Sequence, residues 1–116
     1  MKSLIRFSLL IWLLTTPALA QTVTDGIEAF GRADYANALK ILREPAEIGN
    51  SEAQLHLGLM YDYGYGVTED DKEAVKWYRK AADQDDAMGQ NNLGLMYSKG
   101  IGLTQDFNLS AFWFRK

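Results

Sequence analysis

The sequence predicts an all-α protein built as a stack of about two and a half to three helix-turn-helix units. Three observations carry that prediction. First, a block of residues returns 36 positions later: Leu57-Gly58-Leu59-Met60-Tyr61 reappears as Leu93-Gly94-Leu95-Met96-Tyr97, Gly64-x-Gly66 as Gly100-x-Gly102, Asp70 as Asp106 and Trp77 as Trp113. Second, small and apolar residues inside each block recur at the spacing of a helix buried along one stripe. Third, paired glycines and capping residues punctuate the helical stretches where a chain must reverse. Self-similarity at a period of this size is the signature of stacked repeats.

The N-terminal 20 residues read differently. Met1-Lys2-Ser3-Leu4-Ile5-Arg6 is a short basic start, Phe7 to Leu14 is an apolar run, and Ala18-Leu19-Ala20 is a small-x-small cleavage site. That order predicts a secretory signal peptide over residues 1–20, with the mature chain starting at Gln21 in the periplasm or outside the cell. The apolar run is shorter than the roughly 20 residues a membrane-spanning helix needs, so no stable membrane anchor is expected after cleavage. With no cysteine in the chain, lipid attachment to a cysteine is excluded, and an exported fold must hold together by packing alone. Loss of Lys2 and Arg6 leaves ten basic against fifteen acidic side chains, a net charge of −5. This balance argues against nucleic acid and against an anionic membrane surface, both of which need clustered Lys and Arg.

Within residues 21–50, Thr24 or Asp25 is the expected cap of a first helix running to about Arg32, with Ile27 and Phe30 inward. Gly31-Arg32-Ala33-Asp34 reads as a tight turn, with Asp34 the cap of a second helix from Tyr35 to Ile48. Pro45 is expected to bend or shorten that helix, and Gly49 to end it. The loop between these helices is shorter than in the next unit, which marks a divergent first repeat. In residues 51–86, Ser51 or Asn50 opens a helix carrying Ala53, Leu57, Met60 and Tyr61. Gly58 costs that helix about 1 kcal/mol relative to Ala, and close helix–helix approach is the expected compensation. Gly64 and Gly66 permit a loop with positive backbone angles. Asp70 with Glu73 has capping-box spacing, ahead of a helix that buries Ala74, Trp77, Tyr78, Ala81 and Ala82. Residues 87–116 repeat this plan from Asp85 or Asp86 onward and are cut short at Lys116.

Reactive chemistry is sparse. His56 is the only histidine, and without cysteines or a second histidine it reads as a helix-surface residue rather than a base or metal ligand. Ser51, Ser98 and Ser110 belong to no nucleophile motif. Asp83-Gln84-Asp85-Asp86 lacks the glycine and distal glutamate of a calcium loop, and a solvated turn with a helix cap fits it better. The glycine pairs do not follow strands, so they are not phosphate cradles. No catalytic residue, metal or cofactor is expected.

Taken together, Ala53, Leu57-Gly58, Tyr61, Gly64-x-Gly66-Val67, Asp70, Trp77-Tyr78 and Ala81-Ala82 resemble the Sel-one-like repeat (SLR), a branch of the tetratricopeptide superfamily. Residues 51–86 match it almost throughout, residues 87–116 in part, and residues 24–50 loosely. The resemblance implies a right-handed αα superhelix that acts as a scaffold for protein–protein contacts: an exported adaptor or regulator, not an enzyme. A cell-wall accessory protein or enzyme, or a truncated remnant of a longer repeat protein, are the alternatives. The tetratricopeptide register implies that the first helices line a concave face. Leu55, Leu59, Asp62 and Tyr63 with Met88, Asn91 and Leu95 are its expected contact residues for a peptide, although Leu55 and Leu59 could equally extend the core. A second surface follows from the repeats themselves, because Asp71, Glu73 and Lys76 become Phe107, Leu109 and Phe112. An outer face turned apolar is expected to be covered, by a further repeat, by a second copy of the chain or by a partner.

Overall fold

The computed structural model describes residues 17–116, which form six α-helices in three antiparallel pairs: α1 (Pro17–Gly31), α2 (Tyr35–Glu47), α3 (Ser51–Tyr63), α4 (Asp71–Ala82), α5 (Ala87–Lys99) and α6 (Phe107–Phe114). No strand occurs among the described residues. Each helix packs chiefly against its neighbours in sequence, with α1 also touching α3. The radius of gyration, 15.6 Å, exceeds the roughly 13 Å of a globule this long, as an elongated stack requires. The signal peptide expected over residues 1–20 lies almost wholly outside the described part, which includes only Pro17–Ala20 of it.

The first helix differs from expectation. It is already helical at Pro17, the first described residue, rather than beginning near Thr24. Thr22 and Thr24 donate to the carbonyls of Ala18 and Ala20 instead of capping a helix of their own. Asp34 also departs from expectation: its carboxylate makes no cap bond and takes the Asn37 amide at 2.8 Å. The left-handed residue of this turn is Ala33, at φ 60°. Pro45 lies buried inside α2, which nonetheless runs to Glu47 before Gly49 turns the chain.

The remaining caps follow the sequence. Asn50, Asp70, Asp86 and Asp106 each accept from backbone N–H groups of the first turn they precede. The capping box at Asp70 is only half formed. Its own N–H bonds the Tyr61 carbonyl at 2.9 Å, and Glu73 instead pairs with Lys76 at 3.8 Å in solvent. Gly64 and Gly100 end α3 and α5 in the left-handed region, at φ 71° and 66°.

Helix pairs close over glycines. A Cβ on Gly58 would lie 2.5 Å from two ring carbons of Tyr78, and one on Gly94 2.8 Å from the Phe114 ring. Gly26 does the same in the first pair, with Leu42 at 2.5 Å. Leu42, Tyr78 and Phe114 are successive residues of the 36-residue period, whereas Gly26 precedes Gly58 by 32 because three residues link α1 to α2 where seven link α3 to α4.

Two clusters share the core. Val23, Ala38, Leu42, Leu57, Met60 and Trp77 fill the first; Leu55, Ala74, Tyr78, Leu93 and Met96 belong to the second. The adjacent Trp77 and Tyr78 therefore serve different clusters and tie α4 to both. The Tyr78 hydroxyl is held by Asp62 Oδ2 at 2.8 Å. Burial, then this carboxylate, pushes the phenol well above its ordinary value, with the Asn92 amide opposing.

Two predictions follow from this contact. For Gly58→Ala, overpacking of up to about 3 kcal/mol outweighs a propensity gain of about 1 kcal/mol, because Asp62 holds the Tyr78 ring in place. Gly31→Ala, whose Cβ meets nothing within 4 Å, should be neutral or stabilising. Urea midpoints compare the two, and an unchanged midpoint for Gly58→Ala would contradict the close-approach reading. The second prediction concerns pH. Because the folded pKa of Tyr78 lies above its unfolded value of about 10, the unfolded chain loses this proton first. Stability should therefore be unaffected by this group below that pH and fall by about 1.4 kcal/mol per unit above it. Tyr78→Phe should lack that increment of slope in urea titrations across alkaline pH.

Candidate functional site

The first helix of each pair turns a different stripe to each neighbour. On α3, Ala53, Leu57 and Met60 are buried in the cluster shared with α1 and α2, and Gly58 faces α4. What remains at helical spacing is Glu52, His56, Leu59 and Tyr63. On α5 the same positions are Met88, Asn92, Leu95 and Lys99. Tyr63 is 60% exposed, Met88 58% and Leu95 39%, while Glu52 and Lys99 are exposed and His56, Leu59 and Asn92 half-buried. The two stripes are apolar along Leu59, Tyr63, Met88 and Leu95, with a carboxylate at Glu52 and an ammonium at Lys99.

The structure treats the sequence-predicted residues unequally. Tyr63, Met88 and Leu95 are exposed, and Leu59 is half-buried. Leu55 is neither: it is only 6% exposed and belongs to the second core cluster with Leu93 and Met96, so it is corrected to a core residue. Asn91, one period later, is exposed because the described chain places no helix pair beyond α5 and α6 to cover it. Asp62 is half-buried and accepts the Tyr78 hydroxyl. Replacing it would therefore disturb the core as well as the surface.

Sequence reasoning passed over an aromatic row beside these stripes. Tyr35 and Tyr65 stack with centroids 4.5 Å apart and planes 4° from parallel, and Tyr63 continues the row 5.4 Å from Tyr65. Phe30 sets its edge against Tyr35, Tyr65 and His56. His56 Nδ1–H donates to the Glu52 carbonyl at 2.8 Å, so the histidine is committed to its own helix and to Phe30. The available signal was the loop glycine. Gly66, at φ 73°, lies against Tyr35, whose Cβ and carbonyl a side chain there would strike at 2.9 and 3.1 Å. The loop must therefore sit on the start of α2, which carries Tyr65 onto Tyr35.

The second predicted surface is α6. Phe107 is 67% exposed, Phe112 47%, Phe114 48% and Leu109 40%; Ser110 alone of this helix is buried. Phe112 packs edge-on to Trp113 at 5.1 Å and lies under the Lys116 ammonium at 5.0 Å. Among the described residues, no group of three or more His, Cys, Asp or Glu side chains is placed to hold a metal ion, and no helix is long and apolar enough to cross a membrane.

The comparisons with known proteins agree with this architecture. A crystal structure of a Sel1 repeat protein from Oxalobacter formigenes superposes with a TM-score of 0.75 at 43% identity, over 80% of this chain and 38% of that one. A protective antigen present in uropathogenic Escherichia coli strains, displaying an SLR fold, superposes with a TM-score of 0.79 at 33% identity, over 84% of this chain and 22% of that one. An uncharacterized protein of Neisseria meningitidis serogroup B is 47% identical over 49 residues, which are 42% of this chain and 10% of that protein. The chain thus spans a minor part of each of these relatives. The pattern of the Sel1 repeat matches residues 51–86 and again 87–116, more than half of the chain, and the protein belongs to the Sel1 repeat family.

Proposed function

We propose that this protein is an exported, non-enzymatic scaffold that captures a segment of another protein on the inner surface formed by α3 and α5. Sel1 repeat proteins mediate protein–protein contacts in general. The observation that carries the finer reading is the exposure of Tyr63, Met88 and Leu95 on helices whose other faces are packed into the two core clusters. A tyrosine and flexible or branched apolar side chains offer contact area at low conformational cost, and Glu52 and Lys99 can orient an extended or helical peptide by its charges. Export is supported by the order of basic, apolar and small residues in the first 20 positions. It is supported further by α1, whose buried residues Val23, Gly26 and Ala29 all follow Ala20, so cleavage there would leave its packing face whole.

A photo-reactive residue placed at Tyr63 or Leu95 should yield a discrete crosslinked protein in cells, and the same residue at Lys76 on the outer face of α4 should not. Leu95→Asp should reduce the adduct formed at position 63 several-fold while leaving thermal unfolding within about 0.5 kcal/mol of the parent, as expected of an exposed substitution. Equal crosslinking from inner and outer positions would contradict an inner binding surface. Export is tested separately by fusing residues 1–20 to a reporter active only outside the cytoplasm, where a silent fusion would overturn it.

A further inference from the structure

We propose that α6 is the interface of a two-fold symmetric dimer of this chain, with the same face of each copy packed against the other. The inference is independent of the inner-surface reading. It starts from a comparison of α6 with α4, whose residues stand one period earlier. A following helix pair covers one side of α4. Val75 and Tyr78 are buried in the cluster that α5 completes, and the Asp71 carbonyl carbon lies 2.7 Å from where a Cβ on Gly102 would be. A further pair in the same register would therefore cover Phe107, Ala111 and Phe114. It would leave Leu109 and Phe112 bare, because they stand where α4 carries Glu73 and Lys76, an ion pair in solvent. A helix with apolar side chains on two sides needs cover on both, and continuation of the stack supplies only one.

The other end of the stack decides how a second copy can approach. Aligning Gly26 with Gly58 places Gln21, Thr22, Asp25 and Glu28 of α1 where α3 has Ala53, Gln54, Leu57 and Met60. The four α3 residues are buried, and their four counterparts on α1 are exposed. A head-to-tail copy would press Asp25 and Glu28 onto Phe107 and Phe114 and strip two carboxylates of water without partners. Of the two ways to join end faces, only the same-face arrangement brings apolar surface to apolar surface, and it closes after two copies.

Charge favours that arrangement as well. A two-fold axis across α6 sets the two helices antiparallel. Asp106 caps the start of α6 and Arg115 and Lys116 follow its end, so opposite charges meet at both ends of the pair. Beside Phe114, a cleft lined by Gln90 and Asn91 of α5 offers a seat for an aromatic ring of the partner. The exposed parts of Phe107, Leu109, Phe112 and Phe114 amount to about 400 Å² at roughly 200 Å² for each fully exposed ring. That is about half of the 800 Å² per partner of a stable interface, so the dimer should depend on concentration.

The test uses the protein purified as the cell processes it. Sedimentation velocity over a wide concentration range should show a monomer–dimer equilibrium. Leu109→Glu with Phe112→Lys, which installs the residues α4 carries at these positions, should remain monomeric with unchanged thermal unfolding. Because the chain has no cysteine, single-cysteine variants report orientation. Ala111 lies midway between Asp106 and Arg115, where the axis crosses, so Ala111→Cys should form a disulfide dimer on mild oxidation, and a mixture with Asp25→Cys should give 111–111 links and no 111–25 links. A monomer at every concentration, 111–25 links, species larger than a dimer, or association that survives the Leu109→Glu, Phe112→Lys change would each overturn the proposal.

Discussion

Each helix pair of this protein closes on a glycine beneath a large side chain: Gly26 under Leu42, Gly58 under Tyr78, Gly94 under Phe114. With no Cβ at the glycine, the facing side chain occupies the space a Cβ would take. At Gly58 the helix loses about 1 kcal/mol of propensity and gains the burial of the whole Tyr78 side chain, worth about 1.5–3 kcal/mol. In the complete repeat that ring is also fixed at its far end, where Asp62 takes the Tyr78 hydroxyl. The next repeat has Phe114 for Tyr78 and Ser98 for Asp62. Donor and acceptor are lost together, and the serine hydroxyl turns back to its own helix at the Leu95 carbonyl, so neither change leaves an orphaned polar group.

Successive pairs are joined by contacts that recur with the period. Gln54 donates to the Ala46 carbonyl and Gln90 to that of Ala82, both from buried side chains onto the end of the preceding helix. Arg43 reaches the Tyr61 hydroxyl, and Arg79 that of Tyr97 at 2.7 Å. Gly66 and Gly102 lie against the backbone at the starts of α2 and α4. The junction therefore satisfies terminal carbonyls, orders a long cation and seats a loop with one small set of residues. Stability in such a stack is a sum over nearest neighbours, and the residues outside these contacts are free to vary without loss of the stack. On α3 and α5 those residues are the inner stripe.

This division explains which features could be read from the sequence. The helices, their aspartate and asparagine caps and the compensation for Gly58 all follow from local spacing and were legible there. The start of α1 was not, because Thr22 and Thr24 resemble capping residues and only their bonds back to Ala18 and Ala20 reveal a helix already under way. Leu55 and Asn91 are the sharper case. They share one register position, yet one is core and the other surface, since burial there is decided by the pair that follows and not by the helix that carries the residue. Asp62 likewise looks like a surface acid until the length of Tyr78 brings a phenol to it. The aromatic row of Tyr35, Tyr65 and Tyr63 joins residues from two repeats and depends on where a glycine loop lands.

The two ends of the stack differ for the same reason. Position by position, α1 leaves exposed the face that α3 buries: Leu57 and Met60 give way to Asp25 and Glu28. No such replacement marks α6, where Glu73 and Lys76 give way to Leu109 and Phe112. Polar residues at a terminal face close a stack, whereas apolar ones commit it to a contact. A pair of copies joined through α6 would carry two inner stripes in one particle. A target with two suitable segments would then bind the second stripe at an effective concentration set by the dimer geometry. A small surface built on Tyr63, Met88 and Leu95 could thereby hold a target that one copy alone would release.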